Sequence, residues 1–330
     1  MTARSTLAAL RERTVDLRGL GEIRLLALED GPARGQRLLF CRNAEGLECE
    51  IALDRGGDIP ALRWRGVNLG WNGPVGAAPP ASPDSEDGFG LLRALDGFLV
   101  TCGLDHYGMP ASGSAEAFIY PRRSQLRWPM HGRVSGIAAT LRSYGLDTKA
   151  EEPFLWCEAE VRQAALFGEV LVLHRRIEMP LFGMRINLHD RVLNAGFRPT
   201  SHAMLYHCNV GYPLLDETTS LSGDLVPSVL AAYTRQPPVP APDTRERFDV
   251  QASIAATGHD LSAVEVCNVG LRGGVTLRIS YTTSTLPQLG MWQAWQSGIY
   301  ALGIEPHSEL PSILQAAESR EYKLQFEIRT

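Results

Sequence analysis

The sequence predicts an all-β protein made of many short strands, and three observations carry that prediction. Runs of four to eight residues rich in Val, Ile, Leu, Tyr and Trp recur from Ile23 to Ile328, which is the length and composition of strands. The 32 glycines and 21 prolines are spread along the whole chain, as expected when many strands are joined by many turns. Apolar residues make up 44% and charged residues 21%, enough to fill a substantial core and unlike a disordered chain. One short helix is expected first. Ser5 or Thr6 can cap residues 5–13, with Leu7, Leu10 and neighbouring alanines along one side. The predicted organisation is a helix and lead-in over residues 1–20 and a single β domain over residues 21–330, because large β domains often exceed the usual domain size.

From Ile23 the chain reads as a meander of strands at residues 23–28, 36–41 and 47–53. Asp30-Gly31-Pro32 and Asn43-Ala44-Glu45-Gly46 supply the turns. Residues 54–60 are expected to be a loop and 61–67 the next strand. The stretch Gly70 to Gly90, with Pro74, Pro79, Pro80 and Pro83, cannot hold a regular ladder. It carries Trp71 and Asn72, which either line a polar, aromatic cleft or anchor a surface loop. The run ending in Thr101-Cys102-Gly103-Leu104-Asp105 brings backbone groups and a carboxylate to a strand end with little bulk between them; a tight turn would use the same residues. His131-Gly132-Arg133 follows, and Gly132 permits close approach between the two side chains.

Strands are expected next at 138–144, 155–161, 170–178 and 184–192. Val170, Val172, His174 and Arg176 share one face against Leu171, Leu173, Arg175 and Ile177 on the other. His174 and His189 therefore read as sheet-surface residues. A turn at 194–199 leads into a strand at 203–209. After a four-proline excursion at 237–243, strands are expected at 262–268, 275–281, 288–295, 300–306 and 322–328.

A net charge of −5 with scattered arginines provides no basic field, so nucleic acid is not an expected partner. No run of about 18 apolar residues occurs, so no membrane span is expected, and the mixed-charge start lacks the apolar core of a signal peptide. The six cysteines, from Cys41 to Cys267, form no C-x-x-C pair, which predicts free thiols in a reducing cytoplasm.

The stretch Tyr206-His207-Cys208-Asn209-Val210-Gly211-Tyr212-Pro213 places an imidazole and a carboxamide at i and i+2, on one face of a strand. His207 can then give or take a proton while Asn209 fixes a neighbouring hydroxyl or carbonyl. Gly211 and Pro213 end the regular ladder and suggest a reachable strand end. Standing alone, His207 reads first as a partly buried histidine satisfied by the backbone, and Asn209 as a turn-former.

Four motifs in order, Thr101 to Asp105, His131-Gly132-Arg133, Tyr206 to Pro213 and Gly303-Ile304-Glu305-Pro306, resemble the galactose mutarotase (aldose 1-epimerase) superfamily, and above all its DUF4432 branch. The resemblance runs from about Leu38 to the C-terminus. It implies a single large β-supersandwich over residues 21–330 whose cleft binds a small-molecule sugar. By the same resemblance His207 is the general acid on the ring oxygen, Glu305 the base that takes the anomeric proton, and His131 a sugar-binding residue.

The chain departs from the family pattern in two places. Asn209 stands two residues after His207 where the family has a more distant asparagine, which makes His202 a rival for the acid role. The aspartate that commonly holds sugar hydroxyls has no clear equivalent, so Asp105, Trp292 and Gln293 are candidates to replace it. Arg133 and Arg63 are candidates to pair with a substrate carboxylate, sulfonate or phosphate, and Asn209 completes the substrate-binding set.

The residues themselves suit that chemistry. Anomer exchange needs one acid and one base at a hemiacetal, and a His/Glu pair can be tuned to exchange protons near neutral pH. Glu305 follows an apolar strand and precedes a proline, where partial desolvation raises a carboxyl pKa; alone, it would read as a salt-bridged strand-end carboxylate. His131, His207, Glu305 and Asp105 are the residues that could converge as metal ligands, yet no H-x-H or H-E-x-x-H spacing supports a metal. Neither a metal nor an organic cofactor is predicted. Trp64, Trp71, Trp292 and Trp295 offer flat faces for sugar stacking, and Trp292 is preferred for its closeness in sequence to Glu305. The expected function is a cytoplasmic, cofactor-independent mutarotase acting on a free or modified sugar, with a homodimer as one assembly open to it. The alternatives are a non-catalytic carbohydrate-binding or regulatory protein, and a different sugar isomerase or lyase on the same scaffold.

Overall fold

The computed structural model of the protein describes residues 9–77, 86–224, 237–253, 260–310 and 312–330. Two large antiparallel sheets face each other across one hydrophobic core. The first sheet has ten strands. Across it run Glu22–Ala27, Arg37–Arg42, Leu47–Ala52, Asp58–Trp64, Leu99–Leu104, Ala203–Gly211, Ala301–His307, Gln288–Ala294 and Arg247–Ala252, with Val67–Asn68 folded back on Asp58–Trp64. The second has eight: Thr219–Gly223, Ser262–Asn268, Val275–Tyr281, Ser319–Arg329, Arg185–Asn194, Val170–Pro180, Phe154–Ala164 and Thr140–Asp147.

The second sheet is built from sequence with period two. Burial alternates residue by residue along Phe154–Ala164 and Arg185–Asn194, so one face enters the core and the other meets solvent. Leu155, Leu173, Leu188, Leu277 and Phe326 from this sheet pack in one cluster with Leu39, Ile51, Leu62, Tyr206 and Ile304 from the first. Each large apolar side chain so buried contributes roughly 1.5–3 kcal/mol. Phe98 meets Phe326 edge-on, with ring centroids 4.9 Å apart, and ties the two layers together. Arg175, on the apolar face of its strand, is buried in this core and forks onto Asp190 at 2.9 and 2.6 Å. Tyr206 donates to the same carboxylate at 2.8 Å.

The middle of the ten-stranded sheet differs, because Leu99–Leu104, Ala203–Gly211 and Ala301–His307 are buried at every position. Tyr206, Cys208 and Val210 enter the main core, which leaves Leu205, His207 and Asn209 on the outer face. There Leu205 packs with Val100 and Cys102 in a separate cluster. The segment following Leu104 folds back over this face: the Gly103 amide donates to the His131 carbonyl at 3.0 Å, and the Arg133 amide to the Gly103 carbonyl at 2.9 Å.

Several elements differ from expectation. Of the helix expected over residues 5–13, residues 9–11 are helical and 5–8 lie outside the described residues. The strand expected at 61–67 starts at Asp58, its carboxylate buried beneath the Thr101 amide and the Ser135 hydroxyl. A small hairpin, Ala111–Ser114 with Gln125–Trp128, occupies the segment read as irregular. Arg247–Ala252 and Thr219–Gly223 are further strands. His174 and His189 have side chains 38% and 43% exposed, on the sheet surface as their alternation predicts.

Candidate active site

The register of two neighbouring strands creates the site. Ala203–Gly211 pairs antiparallel with Ala301–His307, Leu205 opposite His307 and Cys208 opposite Ile304, so His207 and Glu305 stand opposite each other. The ladder is interrupted between those two pairs, where Pro306 has no N–H to give. Directly opposed residues carry their Cβ atoms about 4.5–5.5 Å apart, and the side chains close the remaining gap: His207 Nε2 lies 3.2 Å from Glu305 Oε1.

Glycines make the room. A Cβ on Gly303 would fall 2.9 Å from Glu305 Oε1 and 2.9 Å from His207 Cε1. Gly290 lies opposite Glu305 on the other side. Aromatic rings surround the pair: His131 and Trp292 each stand edge-on to the His207 ring at 5.6 Å, and Trp71 meets Trp292 at 6.1 Å. His131 reaches this position from a left-handed backbone, φ 57°, followed by Gly132 at 77°. A Cβ on Gly132 would lie 2.1 Å from the Gly103 carbonyl oxygen, so only glycine fits there.

Burial sets the electrostatics. Glu305 is 2% exposed, and loss of hydration pushes its carboxyl up to about 8. His207 is pushed down to about 3, first by burial and then by His131, while the Asn209 side chain works the other way. His131 is pushed down to about 4 by burial, with a smaller contribution from His106. Each shift disfavours the charged form of a group removed from water. Around neutral pH the pair therefore holds one proton, on the Glu305 carboxyl, 3.2 Å from His207 Nε2.

The other sequence candidates fall in different places. Asn209 donates through Nδ2 to the Gly97 carbonyl at 3.1 Å. Its Oδ1 and His207 Nδ1 are buried with no hydrogen-bond partner among the described residues. Asp105 is fully engaged: Trp128 Nε1 at 2.7 Å and Arg133 Nη1 at 3.3 Å on one oxygen, Gln163 Nε2 at 2.7 Å on the other. Arg133 also donates through Nη2 to the Arg127 carbonyl. Arg63 pairs with Glu50 at 2.7 Å. Trp292 is on the His207 face and donates to Glu246 at 2.8 Å. Gln293 comes next in the strand and so points to the opposite side, where its Oε1 accepts from Trp295 Nε1 at 3.0 Å.

His202 has both ring nitrogens occupied, by the Leu104 carbonyl at 2.9 Å and the Tyr322 hydroxyl at 2.6 Å. Among the described residues no group of three His, Cys, Asp or Glu side chains is arranged to hold a metal ion. The six cysteines are free thiols.

Two residues that sequence reasoning passed over share the outer face. His307 follows Glu305 at i+2, a spacing that alternation alone would have flagged. Its Nδ1 is 3.0 Å from the Tyr107 hydroxyl, which donates to the Ser308 carbonyl at 2.6 Å. With its one proton committed there, the hydroxyl accepts from His307, which assigns the proton of the neutral ring to Nδ1 and leaves Nε2 an acceptor.

Known structures share this architecture. A candidate aldose 1-epimerase from Klebsiella pneumoniae superposes with a TM-score of 0.81 at 19% identity, covering 93% of this chain and 83% of that one. A galactose mutarotase-like protein from Clostridium acetobutylicum gives 0.64 at 11% identity, over 94% of this chain and 98% of its own. Galactose 1-epimerase from Lactobacillus acidophilus gives 0.53 at 11%, over 93% and 98%. At these identities the likeness establishes the fold, that of the galactose mutarotase-like proteins. A search of curated proteins by sequence finds no match. The family model described as Domain of unknown function (DUF4432) matches residues 33–327, and the chain belongs to that family.

Proposed function

We propose that the protein is a cofactor-independent, aldose 1-epimerase-like enzyme that interconverts the anomers of a free or modified sugar, with His207 and Glu305 exchanging protons with the hemiacetal. The observation that carries the proposal is the pair itself: two buried groups 3.2 Å apart, displaced in opposite directions by burial so that they share one proton. Anomer exchange opens the ring, rotates about C1–C2 and recloses it. Opening requires a proton delivered to the ring oxygen and one removed from the anomeric hydroxyl. With the shared proton on the imidazole, His207 is the acid and the Glu305 carboxylate the base. With the proton on the carboxyl the roles are exchanged. The two forms have the same total charge, so no proton need come from solvent to interconvert them, and reclosure of the ring restores the starting state. Burial, which holds Glu305 near 8 and His207 near 3, makes the second form the resting one, and the Asn209 carboxamide works against that preference.

His131 and Trp292 stand where a sugar in contact with the pair would meet an imidazole and an aromatic face. The neighbours named as aldose and galactose 1-epimerases support a sugar as the ligand. Saturation-transfer NMR across free aldoses, deoxysugars, uronates and sulfosugars tests the proposal. At least one class should exchange anomers faster than in buffer, and His207→Ala should lower that rate by roughly 10²-fold or more. Binding without acceleration on any sugar would leave a carbohydrate-binding protein.

A further inference from the structure

A cavity of about 350 Å³ opens where the turn after Phe154–Ala164 meets the segment that roofs the outer face. Its volume is within the range of small-ligand sites, and its lining is rich in arginine. Arg123, Arg127, Arg133 and Arg162 border it, against two carboxylates, Asp105 and Glu169. In a chain of net charge −5 this is a local excess of positive charge.

Four guanidinium groups outnumber the two carboxylates. Both Asp105 oxygens are occupied by Trp128, Arg133 and Gln163, so only Arg133 is consumed there. Burial pushes the Glu169 carboxyl upward, although its own backbone amide opposes the shift, and Asp105 adds to the rise. The other three arginines keep donors available. The Arg127 side chain makes no ion pair or hydrogen bond among the described residues. Arg162 has its nearest carboxylate, Glu160, 3.9 Å away and is 57% exposed. Arg123 is laid over the Tyr120 ring at 4.9 Å and uses only Nε, on the Gln125 carbonyl, which orients its terminal nitrogens. Planar guanidinium groups match the oxygens of a phosphate or carboxylate two at a time, and a partly enclosed, low-dielectric wall strengthens the attraction.

We propose that this cavity binds a small oxyanion, the phosphate or carboxylate group of a metabolite, through Arg123, Arg127 and Arg162, at a site separate from the His207–Glu305 pair. The site does not depend on what that pair does, and its test can fail independently. Thermal shift and calorimetry with inorganic phosphate, and in parallel with malonate, each against sodium chloride at equal ionic strength, measure it on the full chain. The expected result is a saturable response beyond chloride that weakens about tenfold or more in Arg127→Gln/Arg162→Gln and persists in Glu305→Gln. Both arginines are exposed or half exposed, and Arg127→Gln alone should weaken binding in the same direction. A stronger response to phosphate assigns a phosphate-bearing ligand, and a stronger response to malonate a carboxylate-bearing one. No response beyond chloride to either anion, or equal affinity in wild type and the double variant, would overturn the site.

Discussion

His207 and Glu305 are brought into contact by a single register, and Gly303 beside them leaves no space for a side chain of its own. Gly303 is the sharpest case, since one added methyl would intrude on both groups at 2.9 Å. The backbone there is an ordinary strand, so Gly303→Ala should fold and displace the two side chains by several tenths of an ångström. Misplacement on that scale is costly for proton transfer: anomer exchange should drop roughly tenfold or more while the melting temperature changes little. Equal rates would show that the observed spacing of the pair is not what sets turnover. The site was legible from sequence only in part, for reasons visible in individual residues. His207, Glu305 and His131 were marked by motif order, but nothing local to any of them shows that the first two are opposed across a ladder interrupted by Pro306. Trp292 and Gln293 were candidates together, yet adjacent strand residues face opposite ways and only Trp292 shares the face of the pair. Asp105 stands at a strand end as expected, and what no linear pattern could show is that Trp128, Arg133 and Gln163 converge on it.

At the level of elements, the three fully buried strands at the middle of the ten-stranded sheet depend on polar contacts behind them. Arg175 and Asp190 bridge adjacent strands of the opposite sheet, and Tyr206, next to His207 in sequence, anchors the central strand to Asp190. Removing the carboxylate leaves the buried guanidinium without its forked partner and with only Asp58, 3.9 Å away, as a counter-charge, so Asp190→Ala should destabilise the protein by roughly 3–5 kcal/mol, measured by denaturant unfolding. Tyr206→Phe loses one hydrogen bond to a charged acceptor and should cost about 1.5–3 kcal/mol. If Asp190→Ala cost no more than Tyr206→Phe, the ion pair would not be the keystone of the core. Alternation identified the Val170–Pro180 and Arg185–Asn194 strands from sequence and placed Arg175 on the apolar face. It failed at Arg247–Ala252, an edge strand largely exposed on both faces, and at Ala111–Ser114, built of Ala, Ser and Gly. Neither carries the apolar contrast that alternation needs.

For the whole molecule, the buried pair couples stability to pH. Glu305 titrates near 8 in the folded protein and near about 4.3 when unfolded. Between those values the folded chain keeps a proton that the unfolded chain has released, so stability falls as pH rises through the window. His207 acts in the opposite sense from about 3 up to the ordinary imidazole value near 6.5: there the unfolded chain holds the extra proton, and stability rises with pH. From about pH 6.5 to 8 only the Glu305 effect remains. Glu305→Gln removes it, so the variant should gain stability relative to wild type as pH is raised from 5 to 8, by an amount on the order of a few kcal/mol. Thermal melts at the two pH values measure this. A stability difference that stays constant or shrinks would mean that the carboxyl is ionised in the fold at neutral pH.

The same single proton makes the most direct test of the pair. Anomer exchange by saturation-transfer NMR, on the most responsive sugar and in excess of the buffer rate, should be followed from pH 4.5 to 9.5 in wild type and in Glu305→Gln. The wild-type rate should hold level and then break near pH 8, falling about tenfold per pH unit beyond it as the pair loses its proton. Glu305→Gln should be slower by roughly 10²-fold or more at neutral pH, with no break near 8. A wild-type profile that passes pH 8 unbroken, or a Glu305→Gln enzyme at wild-type speed, would contradict a shared proton between His207 and Glu305 as the working part of the site.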